Sequence, residues 1–151
     1  MKTDHSFKPL LEKYMAIVKP AKVLEWGPGE STRIIHEACP RAQIITIENQ
    51  ISFYRHACDE HRYAQVIHSP IPDYGPSEYS CWPLIHTPDD KYDLIFIDGR
   101  QRVGCLVTSM SCLNEGGVII MHDAERIHYR HGIALFDVIE STGCTVVLKP
   151  K

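Results

Sequence analysis

An apolar run ends in a glycine turn at Val23-Leu-Glu-Trp-Gly-Pro-Gly-Glu-Ser-Thr32, and a second, Ile44-Ile-Thr-Ile-Glu-Asn49, ends in a carboxylate. No other feature restricts the fold as much. The order reads as buried strand, tight turn, helix N-terminus, then a second strand with an acid at its end. Gly27 and Gly29 lack a Cβ, so the backbone there can take positive φ or come close to a ligand. Ser31 and Thr32 can cap the following helix, whose free N–H groups favour a negative group. Glu48 lies 19 residues beyond Gly29, where a strand-end acid can bind ribose hydroxyls. The segment therefore specifies a parallel α/β sheet with a nucleoside pocket.

The remaining periodicities extend that reading. Helices are expected over 7–18, 31–38, 51–61, 103–113 and 132–141, the last from Ile133, Leu135, Phe136 and Ile139. Strands are expected over 22–26, 43–48, 64–68, 92–98, 118–122 and 144–148. Helices alternating with near-continuous apolar strands mean a parallel sheet covered on both faces. The stretch 69–91 carries Pro70, Pro72, Pro76, Pro83 and Pro88, which rules out a long helix or central strand. Its Tyr74, Tyr79 and Trp82 are expected to form a lid or stacking wall, since loops of this length are usually functional or mobile.

The chain has 151 residues, 44% hydrophobic and 23% charged, with a formal net charge of −3. One domain is expected. The charge gives no reason to expect binding to nucleic acid or to an anionic membrane. No apolar run approaches the roughly 20 residues that a membrane span needs, and no secretory leader is evident. The six cysteines show no C-x-x-C spacing, so they read as reduced thiols in a cytoplasmic protein.

Ligands of an open parallel sheet bind beyond the carboxyl ends of its strands. Those ends offer Glu25 to Ser31, Glu48 and Asn49, His68 and Ser69, Asp98 to Arg100, and His122, Asp123 and Glu125. A dinucleotide fingerprint requires a small residue where this chain has Thr32, which argues against NAD. Glu25 beside the turn repels a diphosphate and suits an ammonium or sulfonium group, hence an amino-acid-bearing nucleoside.

Glu25-x-Gly27-x-Gly29-x-Ser31-Thr32, the acid Glu48, Tyr92-Asp-Leu-Ile-Phe-Ile-Asp-Gly99 and Gly116-Gly-Val-Ile-Ile-Met-His-Asp123 resemble the class I S-adenosylmethionine-dependent methyltransferases. The nearest branch is the small group with E-x-G-x-G-x-S-T, F-I-D-G and G-G-x-I-x-x-H-D signatures, over residues 20 to 140. The resemblance implies a three-layer Rossmann-like fold and S-adenosylmethionine as cofactor. It places Trp26, Gly27, Pro28, Gly29 and Ser31 around the methionine part, with Glu25 beneath its amino group. Glu48 would hold the ribose, Asn49, His68 and Ser69 would border the adenine, and Asp98 would face the methyl group. Full-length members end in an antiparallel strand pair. Only one strand is expected after the last helix here, giving about six strands in an order near 3-2-1-4-5-6, without the seventh. An uncovered edge would invite a homodimer.

The function expected is O- or N-methylation of a small-molecule acceptor, with Asp98, His122 and Asp123 near the reaction centre. The alternatives are another enzyme on this fold (aminopropyl transfer or metal-assisted chemistry) or a noncatalytic binder of the nucleoside or a partner. His122, with an ordinary pKa near 6.5, is the simplest base. Arg100, Arg126 and Tyr129, with Tyr74 and Trp82 opposite, are the candidate acceptor contacts. Arg100 and Arg102 read equally as surface charges or as groups meeting an anionic substrate. In the catechol O-methyltransferase-like branch, acids matching Asp98 and Asp123 hold magnesium, a secondary reading here. Ala124 replaces the next oxygen donor, and Mg²⁺ wants an oxygen-rich shell, so no metal ligand is assigned. His128 and His131 have a spacing that would suit a softer metal.

Overall fold

The computed structural model describes residues 4–151. Helix α1 (Phe7–Val18) buries Phe7, Leu10, Leu11, Tyr14 and Met15 on one side. It ends before Pro20, with Lys19 in the left-handed conformation. There follow β1 (Lys22–Trp26), α2 (Glu30–Ala38), β2 (Gln43–Glu48), α3 (Ile51–Glu60) and β3 (Gln65–His68). The proline-rich stretch leads into the short α4 (Trp82–His86), where Pro83 sits in the first turn, a position that needs no N–H bond. Next come β4 (Tyr92–Ile97), α5 (Arg102–Cys112), β5 (Leu113–Met121), a 3₁₀ turn (Ile127–Tyr129) and α6 (Arg130–Ile133). The chain closes with β6 (Phe136–Thr142) and β7 (Thr145–Pro150).

The sheet has seven strands in the order β3-β2-β1-β4-β5-β7-β6. The first five are parallel, while β7 is antiparallel to both β5 and β6. Two expectations are therefore corrected: the seventh strand is present, and 132–141 is a single helical turn followed by a strand. Gly143, at φ 57°, and Cys144 make the two-residue turn joining β6 to β7, and positive φ at such a turn suits glycine. In β6 only Phe136 is buried, and Val138 and Ile139 are about half exposed. An edge strand exposed along most of its length does not alternate cleanly, so its apolar residues give a helical spacing. The edge strands are thus β3 and β6.

Side-chain alternation along the strands divides the core. Leu24, Trp26, Ile95, Ile97, Ile119 and Met121 pack with Tyr79, Trp82, Cys105 and Leu106 on the α4–α5 side. Val23, Ile44, Leu94, Phe96, Val118 and Ile120 pack with α1 and α2 on the other. This period of two also decides which side chains can leave a strand end toward each face. Among the described residues, no helix is long and apolar enough to cross a membrane.

Candidate functional site

The carboxyl ends of the strands stay in register past the strands themselves. Gly27 N donates to Ile47 O at 3.0 Å, Asp98 N to Trp26 O at 2.9 Å, His122 N to Ile97 O at 3.1 Å and Ser69 N to Glu48 O at 2.9 Å. Beyond this edge opens a cleft of about 760 Å³, within the size range of small-ligand sites. Its walls include Gly27, Pro28, Glu48, Asn49, Asp98, Arg100, Arg126 and Tyr129, all expected from the sequence. Gln50, Phe53, Gly99, Gln101, Arg102, Val103, Gly104 and His128 complete it. Phe53 carries no signal in the sequence beyond that of an apolar helix residue, yet it is 57% exposed and lines the cleft with Asn49 and Gln50.

The glycine turn has two different glycines. Gly27 has φ 90°, and a Cβ there would lie 2.8 Å from Asp98 O. The fold itself therefore demands glycine. Gly29 has extended backbone at φ 174°, and a Cβ there would meet nothing within 4 Å. The fold makes no such demand at Gly29.

Glu25 is fully buried beneath the turn on the α1–α2 side and does not line the cleft. Ser31 Oγ donates to one of its oxygens and Thr32 Oγ1 to the other at 2.6 Å. Thr32 Oγ1 also accepts from Gly29 N at 3.0 Å. Glu25 and Ser31 thus hold the turn from below, with both Glu25 oxygens engaged by hydroxyls of α2. Burial pushes the Glu25 carboxyl up to about 7, against the pull of the Ser31 and Thr32 hydroxyls.

Other expected contacts lie elsewhere. Trp26 is buried, and its indole N–H donates to Tyr79 O at 2.9 Å. Tyr79 and Trp82 belong to the core, while Tyr74 is 93% exposed and off the cleft. Packing in the core draws Tyr79 and Trp82 inward and Tyr74 points to solvent, so none of the three walls the cleft. His68 stacks on Tyr54 with ring centroids 5.2 Å apart, and buried Ser69 extends β3. Neither lines the cleft.

His122 follows Met121 and so turns to the opposite face. Its ring is buried edge-on to Phe7 of α1, with Nδ1 3.0 Å from Thr145 Oγ1. It does not line the cleft, which removes it as a base acting there. His122, Asp123 and Cys144 are the cluster whose donor atoms lie within 4.8 Å of one another among the described residues, and His128 and His131 join no such group. Burial holds the Cys144 thiol up, with the Asp4 carboxyl adding to the effect, and this favours the protonated thiol over the metal-binding thiolate.

Arg102 is neither a surface charge nor free for a substrate. It is 7% exposed. Its Nε donates to Gly99 O at 2.9 Å and its Nη1 to His122 O. Its Nη2 donates to Asp98 Oδ1 at 3.2 Å and stands 3.6 Å from Asp123 Oδ2. The guanidinium also lies 5.6 Å from the Tyr129 ring centroid. Burial raises the Asp98 carboxyl, and Arg102 pulls it back. Arg126, half exposed, reaches Asp123 Oδ2 at 3.3 Å.

No protein-family model matches the chain, and no curated protein does. Solved structures do resemble it. One is a methyltransferase-like protein from Silicibacter pomeroyi, at TM-score 0.81 and 16% identity, covering 100% of this chain and 88% of that one. Another is the O-methyltransferase from Bacillus cereus in complex with SAH, at TM-score 0.73 and 15% identity, covering 97% and 82%. The O-methyltransferase TomG from Streptomyces achromogenes, in complex with SAM, gives TM-score 0.68 and 13% identity, covering 99% and 82%. At these identities the likeness establishes the fold, an α/β Rossmann-like architecture shared with methyltransferases.

The two glycines separate in equilibrium unfolding. Gly27→Ala is expected to cost roughly 2–4 kcal/mol, from positive φ and overpacking, while Gly29→Ala unfolds at the wild-type midpoint. Equal losses at both positions would contradict this reading of the turn.

Glu25 gives a pH signature. Its folded pKa of about 7 exceeds its ordinary 4.5, so its stabilising contribution is complete below the ordinary value and is lost as the pH rises through the folded one. Denaturant unfolding between about pH 4 and about pH 8 is expected to show a loss on the order of a few kcal/mol that Glu25→Gln abolishes. An unchanged slope in that variant would refute the assignment.

Proposed function

We propose that the cleft binds S-adenosylmethionine and that the chain transfers its methyl group to the oxygen or nitrogen of a small acceptor. The carrying observation is the convergence of Gly27, Glu48 and Asp98 on one cleft at the carboxyl edge of the sheet. The SAM- and SAH-bound neighbours of the same fold support it.

The residues present suit such a ligand. Glu48 keeps one carboxylate oxygen on Gln50 N at 2.8 Å, which orients the other toward ribose hydroxyls. Asn49 and the exposed Phe53 ring stand beside it, where an adenine can stack and hydrogen-bond. Gly27 and Pro28 carry the methionine part, and the open space at Gly29 allows its close approach. When bound, the sulfonium supplies a methyl group for in-line displacement. Catalysis by the chain is then mainly positioning, with Asp98 as the base that takes the acceptor's proton. Of the three expected catalytic residues, Asp98 alone lines the cleft. Arg100 and Arg126 bring guanidinium groups to the same cleft, so the acceptor is proposed to carry a carboxylate or phosphate, which Arg reads well.

Calorimetry tests the donor. Wild type is expected to bind S-adenosylmethionine and S-adenosylhomocysteine but not NAD. Glu48→Ala should weaken both sulfur nucleosides about 100-fold, the cost of lost charge-assisted hydrogen bonds. No binding of either, or tighter binding of NAD, would sink the proposal. With labelled S-adenosylmethionine and hydroxylated or aminated carboxylates and phosphates, Asp98→Asn should lower transfer about 10²- to 10⁴-fold. Wild-type rates in that variant would remove Asp98 as the base.

A further inference from the structure

We propose that Arg102 is the resident cation of this cleft: its guanidinium holds Asp98 and Asp123 together in place of a divalent metal. The inference rests on the methyl-transfer reading, because the resemblance is what assigns those two acids to magnesium.

The donor set does not fit a metal. Magnesium demands near-octahedral oxygen coordination at about 2.0–2.1 Å. Here Ala124, buried beside Asp123, offers no side-chain oxygen. The backbone oxygens of Gly99 and His122 at the same strand ends are engaged by Arg102. Asp98 Oδ1 faces Nη2 at 3.2 Å, and Asp123 Oδ2 faces the same nitrogen at 3.6 Å. A dication entering between the carboxylates would meet a permanently charged group at contact distance.

The arginine is built in rather than lying across the surface. It is the first residue of α5, and Gln101 before it takes the left-handed conformation at φ 48°. That turn brings the helix start over the strand ends, so the side chain reaches back to residues 98, 99, 122 and 123. Of its five N–H donors, one serves Gly99, one His122 and one Asp98, while Asp123 Oδ2 stands in ion-pair range of Nη2 at 3.6 Å. Its guanidinium carbon lies 5.6 Å from the Tyr129 ring centroid. A planar fork joins two carboxylates and two carbonyls at fixed angles, which a lysine ammonium cannot match. Arg102 is thus a positioning residue: it sets where the Asp98 carboxylate points and balances Asp98 against Asp123.

The test follows Tm and metal binding in the full-length chain, using manganese as probe. Wild type is expected to keep its Tm and to show no change in water-proton relaxation beyond free metal, up to millimolar manganese. EDTA should leave its affinity for S-adenosylhomocysteine unchanged. Arg102→Ala, which exposes two unbalanced carboxylates, should lose roughly 10 °C or more and regain part of it on adding manganese. Asp98→Asn in that background should abolish the recovery. If Arg102→Ala does not fold, Arg102→Gln, which keeps the stem beside Tyr129, is read in the same way. Stoichiometric manganese binding by wild type that Asp98→Asn removes would overturn the proposal. So would a variant that ignores manganese, since the guanidinium would then not stand in a cation site. Failure of the nucleoside to bind wild type would instead strike the methyl-transfer reading, leaving the manganese measurements to decide on Arg102.

Discussion

At Gly27 the backbone passes so close to the Asp98 backbone that no side chain fits between them. A Cβ at position 27 would stand 2.8 Å from Asp98 O and 3.0 Å from Gly99 N. The β1 and β4 ends can therefore lie side by side, and the ladder continues one bond further, from Asp98 N to Trp26 O. This contact brings the turn and the Asp98 carboxylate to one edge. Glu48 arrives at the same edge because β1 and β2 pair in register from Lys22↔Gln43 to Trp26↔Ile47. The cleft is a consequence of parallel register plus one missing methyl group.

Two buried polar groups then stabilise that edge from opposite faces. Below the turn, Glu25 ties the start of α2 to β1 through Ser31 and Thr32. On the cleft side, Arg102 ties the start of α5 to the ends of β4 and β5. Neither group is cheap to bury. Both are retained where the backbone leaves regular structure, which fits a site whose geometry must be fixed before a ligand arrives.

What was legible in the sequence was local or periodic. The glycine turn, Glu48 and Asp98 follow from covalent geometry and from the rule that strand ends carry the site, and all but the last strands follow from apolar runs. What was not legible depended on partners distant in sequence. Trp26 and Tyr79, 53 positions apart, meet in the core, where the indole N–H donates to the Tyr79 carbonyl and both side chains are fully buried. His122 was assigned to the cleft from its place in the chain, but side-chain alternation turns it toward Phe7. Arg102 was ambiguous because its partner carbonyl at His122 lies 20 residues away. The β6–β7 hairpin carries a helix-and-strand pattern because β6 is an edge strand with Phe136 alone buried, so burial imposes no alternation along it.

The central claim is that this edge is a sulfur-nucleoside site, and a crystal structure of the chain with S-adenosylhomocysteine tests it most directly. The account predicts ribose hydroxyls on Glu48, adenine between Asn49 and Phe53, and the homocysteine chain over Gly27. The sulfur should point toward Asp98. Density for the ligand elsewhere, or a bound pose that leaves Glu48 without contact, would contradict it.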